Sequence, residues 1–207
     1  MKHTLGSSSR SFNGSATSPR LSVLCALMLA FFGGGCAVQS EPAQIILFRH
    51  AEKPEDRAQV HLSSEGQERA KALVSLLGPS STLTTGLPVA ALYATKVTKH
   101  DHSSRTGETL APLAAALRLP VIATVDSEDF RDLARTILRN SRFQGKTVIV
   151  CWTHHDIAQF AAALGVKPEP AAWKDKVFDR FWVIDYRSGK AVLKDVPQHL
   201  LKGDSKH

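Results

Sequence analysis

The sequence predicts an α/β fold, a three-layer αβα sandwich around a mostly parallel central sheet. Two observations predict it. Short runs of apolar and β-branched residues, such as Ile45 to Phe48 and Thr147 to Trp152, alternate with segments whose apolar residues recur at helical spacing. Each of these runs also leads through a polar loop into its helix, the order expected of parallel strands joined by right-handed crossovers. A length of 207 residues with 43% hydrophobic content supports one such domain once an N-terminal segment is set aside.

That N-terminal segment, residues 1–36, has its own character. Lys2, Arg10 and Arg20 lie in a Ser- and Gly-rich stretch. The run Leu21 to Phe32 is apolar except for Ser22, too short to span a bilayer comfortably, and it leads into Gly33-Gly34-Gly35-Cys36. A basic region, a short apolar core and small residues form the pattern of an export signal. The small residues before Cys36 resemble a bacterial lipobox, with Gly33 where a leucine is usual, so Cys36 is expected as a lipidation and membrane-attachment point. The chain's net charge is +7; three of these charges and no acid lie before Cys36, which leaves four on the remainder. This mild excess suits an anionic substrate and includes no dense basic stripe of the kind that binds nucleic acid. Cys151 is the one cysteine of the folded part, and its apolar run predicts a buried, inert thiol.

After a linker over residues 37–43, the domain is expected over 44–200, with a tail over 201–207. Strand one spans Gln44 to Phe48. Ser64-x-x-Gln67 has the form of a capping box, and Ala70, Leu73, Val74 and Leu77 give the stripe of the first helix, stopped by Gly78-Pro79. Val89 to Ala94 is strand two. Leu110, Leu113, Ala114 and Leu117 mark a second helix that either starts near Pro112 or kinks there. Pro120 to Thr124 is strand three. Asp126 to Asn140 reads as a helix with Ser127 as N-cap and Phe130, Leu133, Ala134 and Leu138 inward. Lys146 to Trp152 is the most apolar strand. Ile157, Phe160, Ala161 and Leu164 give the last helix, closed by Gly165, and Phe178 to Tyr186 with Ala191 to Leu193 reads as a terminal hairpin.

Three strand ends carry polar groups: Arg49 and His50 after strand one; His100, His102 and Arg105 after strand two; and Thr153, His154, His155 and Asp156 after the strand ending at Trp152. Right-handed crossovers bring such ends to one sheet edge, where ligands of open α/β sheets bind. Arginine forks match oxyanions in bidentate geometry, and a neutral histidine is a nucleophile near pH 7. Phosphoryl transfer asks for these groups: donors for three equatorial oxygens and an in-line nucleophile. Arg49 and Arg105 would hold the phosphate, His154 would add a donor, and His50 would attack phosphorus. A general acid should also protonate the leaving oxygen.

Arg49-His50-Ala51-Glu52-Lys53 resembles the Arg-His-Gly signature of the histidine phosphatase (phosphoglycerate mutase-like) superfamily, with Ala51 in the glycine position. Leu62-Ser63-Ser64-Glu65-Gly66 is similar to that family's first helix start. Arg105-Thr106-Gly107-Glu108-Thr109 is similar to its second arginine element, although the usual serine is absent and the preceding loop is long. Val148 to His154 is similar to its strand ending in the second catalytic histidine; Ile157, three residues on, selects His154 over His155. The resemblance runs from about Gln44 to Asp185. It implies a general acid after the third strand, where Asp126, Glu128 and Asp129 lie, with Glu128 favoured, although each also fits as a helix-start residue complementing the dipole. It implies a phosphatase acting on phosphate monoesters through phosphohistidine, with no cofactor and no metal. A phosphorylated small molecule or glycan is the expected partner, a heptose phosphate of lipopolysaccharide core among them, in the periplasm or at the envelope, with no evident protein partner. Other readings are a phosphohistidine protein phosphatase, a catalytically silent phosphate- or glycan-binding module, and a metal cluster of His100, His102, His154, His155 and Asp156. The last leaves Arg49 and Arg105 unexplained, since cations are unfavourable beside a metal.

Overall fold

The protein is described here from a computed structural model, which describes residues 41–205 apart from 57, 82 and 85. The export-signal pattern with Cys36, most of the linker and the last two residues lie outside the described residues.

Among the described residues six strands and four α-helices follow in the order β1 (Gln44–Arg49), α1 (Ser64–Leu77), β2 (Val89–Thr95), α2 (Arg105–Leu117), β3 (Val121–Val125), α3 (Phe130–Arg139), β4 (Thr147–Trp152), α4 (Ile157–Ala163), β5 (Arg180–Asp185) and β6 (Val192–Pro197). The sheet order is β3-β2-β4-β1-β5-β6. The first four strands are parallel, and β5 and β6 are antiparallel to their neighbours. This is the α/β fold expected, with a six-stranded, mixed and mostly parallel sheet. Connections to β2 and β3 run one way along the sheet and that to β4 the other, so right-handed crossovers place α1 and α2 on one face and α3 on the opposite one, where α4 packs beside it. The helices do pack in those two pairs.

Every residue of β1 and of β4 is buried. They are the central strands, covered on both faces, which is why their sequences read as unbroken apolar runs. Leu73 and Leu77 of α1, Leu110 and Leu113 of α2, Leu133 and Ile137 of α3 and Phe160 of α4 close over them. Each such side chain contributes about 1.5–3 kcal/mol by leaving water. Cys151 lies in this core, and burial pushes its thiol pKa up. No helix among the described residues is long and apolar enough to cross a membrane.

The elements differ from expectation in four places. The cap of α1 is Ser63, whose hydroxyl accepts from the Gly66 amide; Ser64 is already helical. Helix α2 begins at Arg105 and runs through Pro112. The segment read as one helix from Asp126 is a short 3-10 turn, Ser127–Asp129, with Asp126 at its N-cap, followed by α3, in which Ile137 rather than Leu138 is fully buried. Strand β6 is longer than Ala191 to Leu193 because it pairs with the whole of β5. Residues 201–205, read as a tail, are tied in: Ser205 donates to the Asp179 carboxylate through its amide and hydroxyl.

Candidate active site

Strands β1 and β4 are neighbours, yet the chain leaves β1 towards one face and β4 towards the other. The crevice between their C-terminal ends is therefore the topological switch point, where α/β folds place ligands. Arg49 stands opposite Trp152 in register, and the His50 amide donates to the Trp152 carbonyl. The sheet thus fixes the backbone of both Arg49 and His50.

His50 is 5% exposed. Its Nδ1 lies 2.6 Å from the Ala51 carbonyl oxygen. A carbonyl can only accept, so Nδ1 carries the hydrogen and Nε2 keeps its lone pair. Burial first, then the positive charges of Arg49 and Arg105, hold the ring well below its ordinary 6.5, at about 3, against the pull of the Ala51 carbonyl. The imidazole is neutral at physiological pH and presents one free nitrogen, the state a nucleophile requires.

The loop after β1 is locked from three sides. The Ala51 amide donates to Thr109 Oγ1 at 2.9 Å, and Thr109 in turn donates to the Arg105 carbonyl. Gly66 lies hard against the Glu52 backbone: a Cβ there would sit 3.0 Å from the Glu52 nitrogen and closer still to its carbonyl oxygen. Arg69 of α1, 3% exposed, grips Glu52 with Nε at 2.8 Å and Asp204 with Nη1 at 3.0 Å, and also reaches Gln198. This buried charged network joins α1, the site loop and the C-terminal segment. Ala51 itself is buried against Leu62 and Ala70, so a methyl group fits at this position of the loop.

The Arg49 side chain is fully enclosed. Its guanidinium carbon lies 4.0 Å above the Phe178 ring. Nη2 donates to Asp175 Oδ1 at 3.0 Å, Nη1 donates to the Asp175 carbonyl, and Nε has no hydrogen-bond partner among the described residues. Lys53 Nζ lies 3.3 Å and His154 Nε2 3.2 Å from the same Asp175 oxygen. Arg105 donates to the carbonyls of Gln59 and His61, which place its charge at the cavity wall, near enough to lower the pKa of both Arg49 and His50. Lys53, Arg105, His154, His155 and Asp175 line a cavity of about 440 Å³.

Four of the expected site residues thus converge: Arg49, His50, Arg105 and His154. His154, rather than its neighbour His155 (ring centroids 3.8 Å apart, planes tilted by 40°), reaches the cluster, with Nε2 3.2 Å from Asp175 Oδ1, and burial with the Arg49 charge lowers its pKa to about 4. Glu128 is not brought in. It is exposed on the 3-10 turn, whose Ser127 carbonyl accepts from Trp152 Nε1 at 3.1 Å, and it does not line the cavity. His100 and His102 lie exposed on the loop before α2, so the metal cluster is not assembled among the described residues. Two cavity residues escaped the sequence reading. Lys53 was visible three residues after His50 but had no helical or strand spacing to aim it. Asp175 arrives from an irregular segment between α4 and β5 that carries no periodic signal.

No family model matches the chain, and no curated protein sequence matches it. Solved structures do match. A provisionally assigned alpha-ribazole-5'-P phosphatase of Escherichia coli is 18% identical, with a TM-score of 0.52 over 78% of this chain and 99% of that one. A mycobacterial glucosyl-3-phosphoglycerate phosphatase, solved with inorganic phosphate, is 13% identical, with a TM-score of 0.51 over 73% of this chain and 95% of that one. The protein histidine phosphatase SixA, solved with tungstate, is 15% identical, with a TM-score of 0.50 over 77% of this chain and 99% of that one. The class defined by these likenesses is the phosphoglycerate mutase-like α/β fold. Each of the three matched structures is named as a phosphatase.

Proposed function

We propose that this protein is a phosphatase that hydrolyses phosphate monoesters through a phosphohistidine on His50, and that it works in the bacterial cell envelope. The observation that carries the chemistry is His50: neutral, with Nδ1–H tied to Ala51 and Nε2 unprotonated, set beside one fully buried arginine.

The Nε2 lone pair attacks phosphorus in line. A P–N bond forms as the ester P–O bond breaks, and the leaving oxygen departs with the bonding pair and is protonated. Water then attacks phosphorus, the P–N bond breaks, and phosphate and the neutral imidazole are regenerated. Arg49 and Lys53 offset the charge on the equatorial oxygens, with Arg105 at the wall. His154, whose Nε2 faces the same cluster 3.2 Å from Asp175 Oδ1, adds a donor from the side. A preorganised donor of this kind contributes roughly 2.7–4 kcal/mol to the transition state. The phosphate in the mycobacterial structure and the tungstate in SixA are tetrahedral oxyanions, and the same shape suits this cluster of cations.

The substrate class proposed is a phosphorylated small molecule or glycan. The envelope location rests on the export pattern of residues 1–36, with Cys36 as the attachment point. The test is a panel of phosphate monoesters, beginning with para-nitrophenyl phosphate, assayed with a metal chelator present. Turnover that survives the chelator is expected. Phosphate binding without turnover of any ester would overturn the reading in favour of a silent binding module.

A further inference from the structure

The segment between α4 and β5 holds a carboxylate over the cluster that the phosphatase reading assigns to the phosphoryl group. It is anchored at two points. Trp173 is buried, donates from Nε1 to the Val177 carbonyl at 2.8 Å and packs 5.0 Å from Trp182 of β5. Asp179 is held by Ser205. Between these anchors Lys174, Asp175 and Lys176 are exposed.

Asp175 is nevertheless engaged. Its side chain is 58% exposed, while that of Arg49 beneath it is 0% exposed. One carboxylate oxygen, Oδ1, lies 3.0 Å from Arg49 Nη2, 3.3 Å from Lys53 Nζ and 3.2 Å from His154 Nε2. Convergence of two cationic donors, with an imidazole nitrogen beside them, on one oxygen is the pattern an oxyanion ligand would show. An enclosed guanidinium needs an opposite charge, and among the described residues this is the one whose carboxylate bonds to it. The match is incomplete, because Arg49 Nε, buried, has no partner among the described residues. A tetrahedral oxyanion has more oxygens than a carboxylate and could take that donor too. The Lys53 hydrogen bond, with the neighbouring positive charges, holds the Asp175 carboxyl down at about 2, so it is ionised at every pH at which the enzyme would work.

We propose that Asp175 is an internal oxyanion that occupies the phosphoryl position, and that the tip of residues 174–176 must swing out before a phosphate monoester can bind. The inference rests on the phosphatase reading of the site. The exposed tip can open by itself, because Trp173 and Asp179 keep the rest of the segment in place. Apparent affinity for the ligand is then the intrinsic affinity scaled by the fraction of molecules whose tip is open.

The test is calorimetric titration of the full chain with inorganic phosphate, comparing wild type with Asp175→Asn and Asp175→Ala, each checked by thermal melting. Both variants remove the internal charge, and both are expected to bind phosphate more tightly, by about ten-fold if the tip is open about a tenth of the time in the wild type. In the wild type, amide exchange over residues 174–177 is expected to quicken on adding phosphate, the reverse of ordinary ligand protection. Unchanged or weaker phosphate binding by both folded variants, or slower exchange at the tip, would overturn the proposal and make Asp175 part of the binding site. Phosphate binding by none of the three proteins, with no ester turned over, would instead refute the phosphatase reading itself.

Discussion

Replacing Gly66 with alanine tests whether the site loop is held by close packing. Gly66 lies in the first turn of α1, so alanine should help the helix by up to about 1 kcal/mol. The structure opposes this gain. The new Cβ would stand 3.0 Å from the Glu52 nitrogen and 3.1 Å from its carbonyl carbon, with the carbonyl oxygen nearer still. These are backbone atoms, and Glu52 is pinned by Arg69 and by the Ser63 amide. The loop must therefore shift by several tenths of an ångström or more. Overpacking of this kind costs about 1–3 kcal/mol. For a domain of this size that lowers Tm by about 2–4 °C per kcal/mol. Glu52 lies two residues from His50, and a displacement of about 1 Å at a nucleophile can lower the rate on the order of 100-fold. Gly107→Ala is the matched control: it lies in α2, and a Cβ there meets nothing within 4 Å. It should raise stability by about 0.5–1 kcal/mol through the same helix preference. Thermal melts and kcat/KM for para-nitrophenyl phosphate on both variants make the comparison. If Gly66→Ala matches Gly107→Ala in stability and retains wild-type kcat/KM, the packing argument is wrong.

Three further outcomes follow from the same geometry. The folded pKa of His50, about 3, lies below its ordinary 6.5, so the unfolded chain binds the extra proton between those values. Stability from burying the neutral ring should be complete above pH 6.5 and fall by on the order of 4 kcal/mol as pH drops towards 3; NMR should show a His50 ring with no titration between pH 5 and 8, and a midpoint near 6.5 would contradict this. Arg105→Ala should lower kcat/KM by roughly 2–4 kcal/mol of transition-state stabilisation with little change in melting, and an unchanged kcat/KM would mean that Arg105 serves only to hold the Gln59–His61 backbone. Arg69→Met leaves the partly buried Glu52 and Asp204 carboxylates without their partner and should cost about 3–5 kcal/mol in chemical denaturation; a loss below 1 kcal/mol would show that solvent compensates them.

Much of this site was legible in the sequence because it hangs on two central strands. Burial on both faces turns β1 and β4 into unbroken apolar runs, so the polar residues that end them, Arg49-His50 and Thr153-His154, stand out by contrast. Arg105 was found because it follows strand two, whose end lies at the same sheet edge. What was not legible came from irregular or distant chain. Asp175 sits on a segment without periodicity, and its cationic partners Lys53 and Arg49 are 122 and 126 residues away. The Arg69 network spans separations of 17 and 135 residues, which no local pattern encodes. The cap at Ser63 was misplaced by one residue because two serines stand side by side and both have the right chemistry. Glu128 was favoured on its position after β3 alone, and the 3-10 turn leaves it exposed outside the cavity.

The central claim is that His50 Nε2 forms the covalent bond to phosphorus. A labelled phosphate monoester, mixed with enzyme and quenched in denaturant, tests it most directly. The account predicts an acid-labile, base-stable adduct on the peptide containing His50. It should be absent from His50→Ala, and in His154→Ala it should form and decay more slowly at the same position. Label that persists on His50→Ala, or that maps to His154 or His155, would contradict it.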